Sequence, residues 1–141
     1  VTFSSIKFGA VDISFLNSLI TSDGEEVEFF EGGRGYTNSV VKRVSEHWET
    51  EKISSTVRSS ISLNTIIEEN FDRKIDWLHL DVEGLDSKLI RSVDYSKLPN
   101  LIIFEDYNLS DDEKNEIYEW LKIGLYSLHS ESGICMATKL I

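Results

Sequence analysis

Two acidic runs are the groups best placed to carry chemistry: Asp81-Val82-Glu83-Gly84 and, further along, Glu105-Asp106. Each closes an apolar run, Ile75 to Leu80 in the first case and Leu101 to Phe104 in the second. Short apolar runs bounded by turn residues read as buried strands, so both acidic runs fall at strand carboxyl ends. Ligands of open α/β sheets bind at that edge. Neighbouring parallel strands lie about 4.8 Å apart, so these carboxylates are expected to converge on one small site. Paired acids there can serve as a general base, hold a ligand hydroxyl or amine, or bind a divalent cation through oxygen. The competing structural role is capping, with Asp81 or Glu83 complementing the dipole of the next helix.

Other reactive residue types fall into weaker patterns. His79 sits two residues before Asp81 and is expected to be a buried core histidine. His47 and His129 have no partners at metal-ligand spacing, and one cysteine with three scattered histidines makes no zinc set, so no metal is expected. Cys135 lies in the apolar run Ile134 to Ala137 and reads as a buried structural thiol. No Gly-x-Ser-x-Gly element or phosphate loop is present. Gly32-Gly33-Arg34-Gly35 is glycine-rich, but no buried strand leads into it and no lysine follows.

These groups depend on the elements around them. Val1 to Val11 is rich in β-branched and aromatic residues, with a phase slip at Ser4-Ser5 that predicts a bulged strand or two short pieces. Asp12 to Ile20 shows no single pattern. Thr21 to Gly24 is a turn by its chemistry, and Glu26 to Phe29 alternates as a half-exposed strand. Val40, Val41, Val44 and Trp48 have helical spacing, and Asn38-Ser39 reads as a loop or cap. Ile53 to Ile61 has strand phase. Ser62 is the expected N-cap of a short helix carrying Leu63, Ile66 and Ile67, ended by Asn70 and Asp72. Ile75 to Val82 reads as a central parallel strand covered on both faces. A helical stripe follows: Leu85, Leu89, Ile90 and Val93. After the Pro99-Asn100 turn and the Leu101 strand, Ser110 and Glu113 form a capping box. That helix turns Ile117, Trp120 and Leu121 inward and stops at Gly124. Leu125 to Ile141 reads as a hairpin turning near Glu131 to Gly133. Strands alternating with helices imply a parallel sheet with an antiparallel edge.

The 141 residues suit a single domain, and 40% hydrophobic content is enough for a core. Fourteen Lys and Arg against 25 Asp and Glu give a net charge of −11. That argues against a phosphate-tracking nucleic-acid binder and against an anionic membrane surface. No apolar stretch approaches the roughly 20 residues of a membrane helix, and no signal peptide is evident. A single cysteine points to a reducing, cytoplasmic setting.

The order Ser62 to Ile67, then Ile75 to Gly84 with its Asp-Val-Glu-Gly run, then Leu101 to Glu105 resembles the C-terminal part of FkbM-type methyltransferases. Gly9 to Val11, the Asp23-Gly24 turn before Val27 to Phe30, and Asn38-Ser39 fit the same pattern. The resemblance covers most of the chain, and the Asp-Val-Glu-Gly run is its most specific element. It implies an α/β fold: a Rossmann-like methyltransferase sheet, largely parallel, with an antiparallel C-terminal hairpin and without the N-terminal strands. It implies S-adenosylmethionine as cofactor and O-methylation of a small hydroxylated or sugar-type substrate.

By position, the resemblance makes Asp81, Glu83 and Glu105 catalytic. It puts Ala10 and Val11, with Asp81, near the cofactor, and Asn38, Ser39 and Asp106 on the substrate side. Asn64 and His79 stand where the family usually has an acid and a lysine. The family's first strand, its glycine-rich cofactor loop and its ribose-holding acid belong before Val1, so a truncated single domain over 1–141 is expected, and whether it is an enzyme stays open. The alternative is a non-catalytic α/β module that oligomerises or binds a partner. Lacking the first strand, the Ile75 strand is expected to expose an unpaired apolar edge, filled by rearrangement or by a second copy as a homo-oligomer.

Overall fold

The computed structural model describes residues 2–8, 11–31, 38–48, 53–71 and 74–140. The glycine-rich loop at 32–35 and Ala10 lie outside these residues. Among them, nine strands and four helices follow in the order β1 (Thr2–Phe8), β2 (Val11–Asn17), β3 (Leu19–Thr21), β4 (Glu26–Glu31), α1 (Lys42–Trp48), β5 (Ser54–Ser62), α2 (Leu63–Asn70), β6 (Trp77–Leu80), α3 (Asp86–Ser92), β7 (Leu101–Glu105), α4 (Asp111–Ile123), β8 (Tyr126–Glu131) and β9 (Ile134–Lys139). No helix among the described residues is long and apolar enough to cross a membrane.

The strands form three sheets, with orders β1-β2, β3-β5-β4 and β6-β7-β9-β8. The segment from Thr2 to Asn17, which had no single pattern in its second half, is an antiparallel hairpin in which Val11 pairs with Phe8. The expectation of a largely parallel arrangement is corrected. Among the described residues only β3–β5 and β6–β7 run parallel. β1–β2, β4–β5, β7–β9 and β8–β9 are antiparallel. Parallel neighbours need a crossover, and for the strands that carry the acidic runs α3 supplies it between β6 and β7. The C-terminal hairpin forms as expected, with Ser132 and Gly133 turning at positive φ.

Local signals set the helix ends. Ser62 caps α2 by accepting the Thr65 N–H at 3.0 Å. The Ser110–Glu113 capping box opens α4, and Gly124 is its C-cap. The main core lies between the four-stranded sheet and the helices α2, α3 and α4. Leu89 and Ile90 of α3, Ile102 and Phe104 of β7, and Ile117 and Leu121 of α4 are fully buried. Each contributes roughly 1.5–3 kcal/mol by leaving water. Cys135 is fully buried in this core.

β6 differs from expectation in a way that matters. It is four residues long and lies at the edge of its sheet, paired with β7 alone among the described residues. Leu78 and Leu80 turn to the core, while Trp77 (57% exposed) and His79 face outward. One face of β6 is covered rather than two, since Trp77 and His79 on the other are exposed. His79 is therefore not a core histidine: it is exposed, with its ring stacked on Trp77 at 6.2 Å between centroids. No described strand fills the open edge.

Candidate functional site

The parallel register of β6 and β7 sets Leu80 beside Phe104, so both chains leave the sheet at the same level. After Leu80 the backbone turns sharply. Glu83 has φ +50° and Gly84 φ +90°. A Cβ on Gly84 would stand 3.0 Å from Val44 Cγ2, so glycine suits both the dihedral and the close approach of α1. Ser39 secures the turn by donating its hydroxyl to the Glu83 carbonyl at 2.9 Å. The same hydroxyl accepts the Val41 N–H at 2.9 Å.

Neither Asp81 nor Glu83 caps the following helix. The N-cap of α3 is Leu85, with no side-chain cap bond, and the acid in its first turn is Asp86. That leaves Asp81 and Glu83 facing a cleft of about 220 Å³. Asn38 and Ser39 line it beside them, and Leu19, Phe29, Val82 and Leu85 supply apolar wall.

Glu105 joins the cluster through a residue that sequence reasoning did not single out. The Asn108 side-chain nitrogen donates to Glu83 Oε2 at 3.0 Å and to Glu105 Oε2 at 2.9 Å. The two carboxylates expected to converge are thus bridged by one amide. Burial pushes the Glu83 carboxyl above the usual range, and the charges of Glu105 and Asp81 add to the rise; the Asn108 bond opposes it.

Asp86 was also missed. Its side chain is fully buried, its Oδ1 accepts the Glu105 N–H at 3.3 Å, and its Oδ2 has no partner. Burial, with smaller contributions from Glu105 and Asp81, raises it to about 6. Its position was a readable signal, since Asp86, Leu89, Ile90 and Val93 share the inward phase of α3. Asn108 offered little: it is one polar residue in a turn.

The other expected site residues separate from this cluster. The Asp106 carboxylate is buried away from Glu105 and accepts hydroxyls from Tyr118 and, at 2.5 Å, from Ser130. Val11 belongs to the β1–β2 hairpin. Ala10 lies outside the described residues. Among the described residues no group of three or more His, Cys, Asp or Glu side chains is arranged to hold a metal ion.

Residues 12–128 match the family model described as Methyltransferase FkbM domain. The chain belongs to the FkbM methyltransferase family. The matched span takes in the FkbM strand end Asp81 to Gly84, Glu105, Asn108 and the capping box of α4. No curated protein and no solved structure matches the chain.

Members of this family are methyltransferases, and S-adenosylmethionine is their general methyl donor. The cleft fits that molecule in part. Its carboxylates and hydroxyl suit hydroxyl or ammonium groups, but about 220 Å³ is below the ~300 Å³ at which pockets for whole small ligands begin. This cleft by itself therefore does not enclose a complete cofactor.

Proposed function

We propose that this chain is an S-adenosylmethionine-dependent methyltransferase with a Rossmann-like sheet, acting on an oxygen of a small hydroxylated or sugar-type substrate. The supporting observation is the convergence at the carboxyl ends of β6 and β7. Asp81 and Glu83 face one cleft with Asn38 and Ser39, and Glu105 is bound to Glu83 through Asn108. In this reading Asp81 orients the acceptor hydroxyl, and Glu83 takes up its proton. A carboxyl raised toward neutrality by burial is better matched to that task than an ordinary one. Asn38 and Ser39 border the acceptor. Methyl transfer needs an aligned approach, so holding the nucleophile in place is the main contribution asked of these residues.

Two measurements test this. Calorimetric titration of the 141-residue chain with S-adenosylmethionine is expected to give weak or no heat, in keeping with the small cleft. In an active methyltransferase carrying this chain, Asp81→Asn is expected to lower turnover by roughly 10²-fold or more, with little change in unfolding midpoint. Loss of folding with no separate catalytic defect would leave Asp81 a structural residue and remove the reading.

A second reading is favoured by β6. Its open edge and outward Trp77 suit a non-catalytic module that associates through that edge, with a second copy of the chain as the partner.

A further inference from the structure

We propose that Asn108 is a positioning residue, holding the Glu83 and Glu105 carboxylates side by side through the two hydrogens of one amide nitrogen. The inference rests on reading that pair as the acceptor-handling group of the site.

Two like charges placed together repel, and partial burial strengthens the repulsion. Something must offset it, and no cation is bonded to either carboxylate among the described residues. Asn108 is itself buried, and its side-chain nitrogen donates to these two groups. Its backbone is anchored independently. Arg43 Nη1 donates to the Asn108 carbonyl at 2.7 Å, and Arg43 Nη2 pairs with Glu113 at 2.6 Å. Glu113 in turn closes the capping box of α4. Helices α1 and α4 thus fix where the amide stands. From the opposite side, Asp86 holds the backbone of Glu105. The amide favours the ionised form of Glu83, opposing its burial and the nearby charges of Glu105 and Asp81.

An asparagine serving the fold alone would satisfy backbone groups. This one joins two acids from different strand ends, and one of them, Glu83, lines the cleft. The geometry therefore assigns it to the arrangement of charge at the site.

The test is a carboxyl-carbon NMR titration of the whole chain, comparing the parent with Asn108→Leu and Asn108→Ala. Both variants are expected to stay folded and to raise the Glu83 midpoint by roughly one unit, leaving Asp94 unmoved. Arg43→Met keeps the amide and should give a smaller rise. An unmoved Glu83 midpoint in a folded variant overturns the proposal. So does unfolding of both variants, since a device that only arranges two carboxylates is dispensable to the core. Failure of the parent protein to methylate any hydroxylated acceptor would remove the functional reading but leave this titration intact, so the two failures are distinguishable.

Discussion

Asp86 reaches from the first turn of α3 to the end of β7, where its Oδ1 accepts the backbone N–H of Glu105 at 3.3 Å. One buried carboxylate thus ties the helix after the first acidic run to the strand bearing the second. Its other oxygen is buried without a partner, which explains why its proton is held up to about 6. The consequences are measurable.

Between pH 4 and 6 the folded chain holds a proton on Asp86 that the unfolded chain, with an ordinary value near 3.8, has lost. The folded state binds more protons, so stability falls as pH rises through this window and levels off above it. A rise of about two units corresponds to about 3 kcal/mol as an upper figure. Urea unfolding at several pH values should show this slope in the parent chain and a flatter one in Asp86→Asn. Equal slopes would mean that Asp86 titrates normally.

Gly84 sits at φ +90° with Val44 Cγ2 3.0 Å from where a Cβ would stand. Gly84→Ala is expected to cost ~1–3 kcal/mol, from backbone strain and displacement of α1. Hydrogen exchange should show faster opening at Ser39 and Val44 than at Ile102. An alanine variant as stable as its parent would contradict the close approach.

Asp106 is 2% exposed and depends on Tyr118 and Ser130 for its hydrogen bonds. Burial and the Asp106 bond together push the Tyr118 hydroxyl up to about 12, so it remains a donor at any ordinary pH. Tyr118→Phe leaves the carboxylate with one hydroxyl and should cost ~1–3 kcal/mol by chemical denaturation. If Asp106 binds acceptor in the parent enzyme, its variants lose activity beyond this loss of stability. If it is a clamp between β7, α4 and the C-terminal hairpin, they do not.

The open edge of β6 and the outward Trp77 predict self-association. Sedimentation velocity across a concentration series should show a dimer that Trp77→Lys weakens at least tenfold. A clean monomer of the parent chain at high concentration would end the module reading.

Much of the fold was legible in the chain itself because its signals are local. The Ser62 cap, the Ser110–Glu113 box, the stop at Gly124 and the Glu131 to Gly133 turn are each decided by residues within one turn of one another. The apolar runs before Asp81 and Glu105 foretold two strands ending in acids, and their parallel pairing brought Glu83 and Glu105 together as expected. What could not be read there depends on partners distant in sequence. Whether Ile75 to Val82 is central or an edge rests on what packs beside it, so Trp77 and His79 face out despite an apolar pattern. Asp106 adjoins Glu105 in sequence, yet strand alternation turns it inward to Tyr118 and Ser130. Asn108 and Asp86 matter only because two strand ends meet there. Short-range backbone preferences are written in neighbouring residues, whereas the sharing of one amide by two carboxylates exists only once the chain has folded.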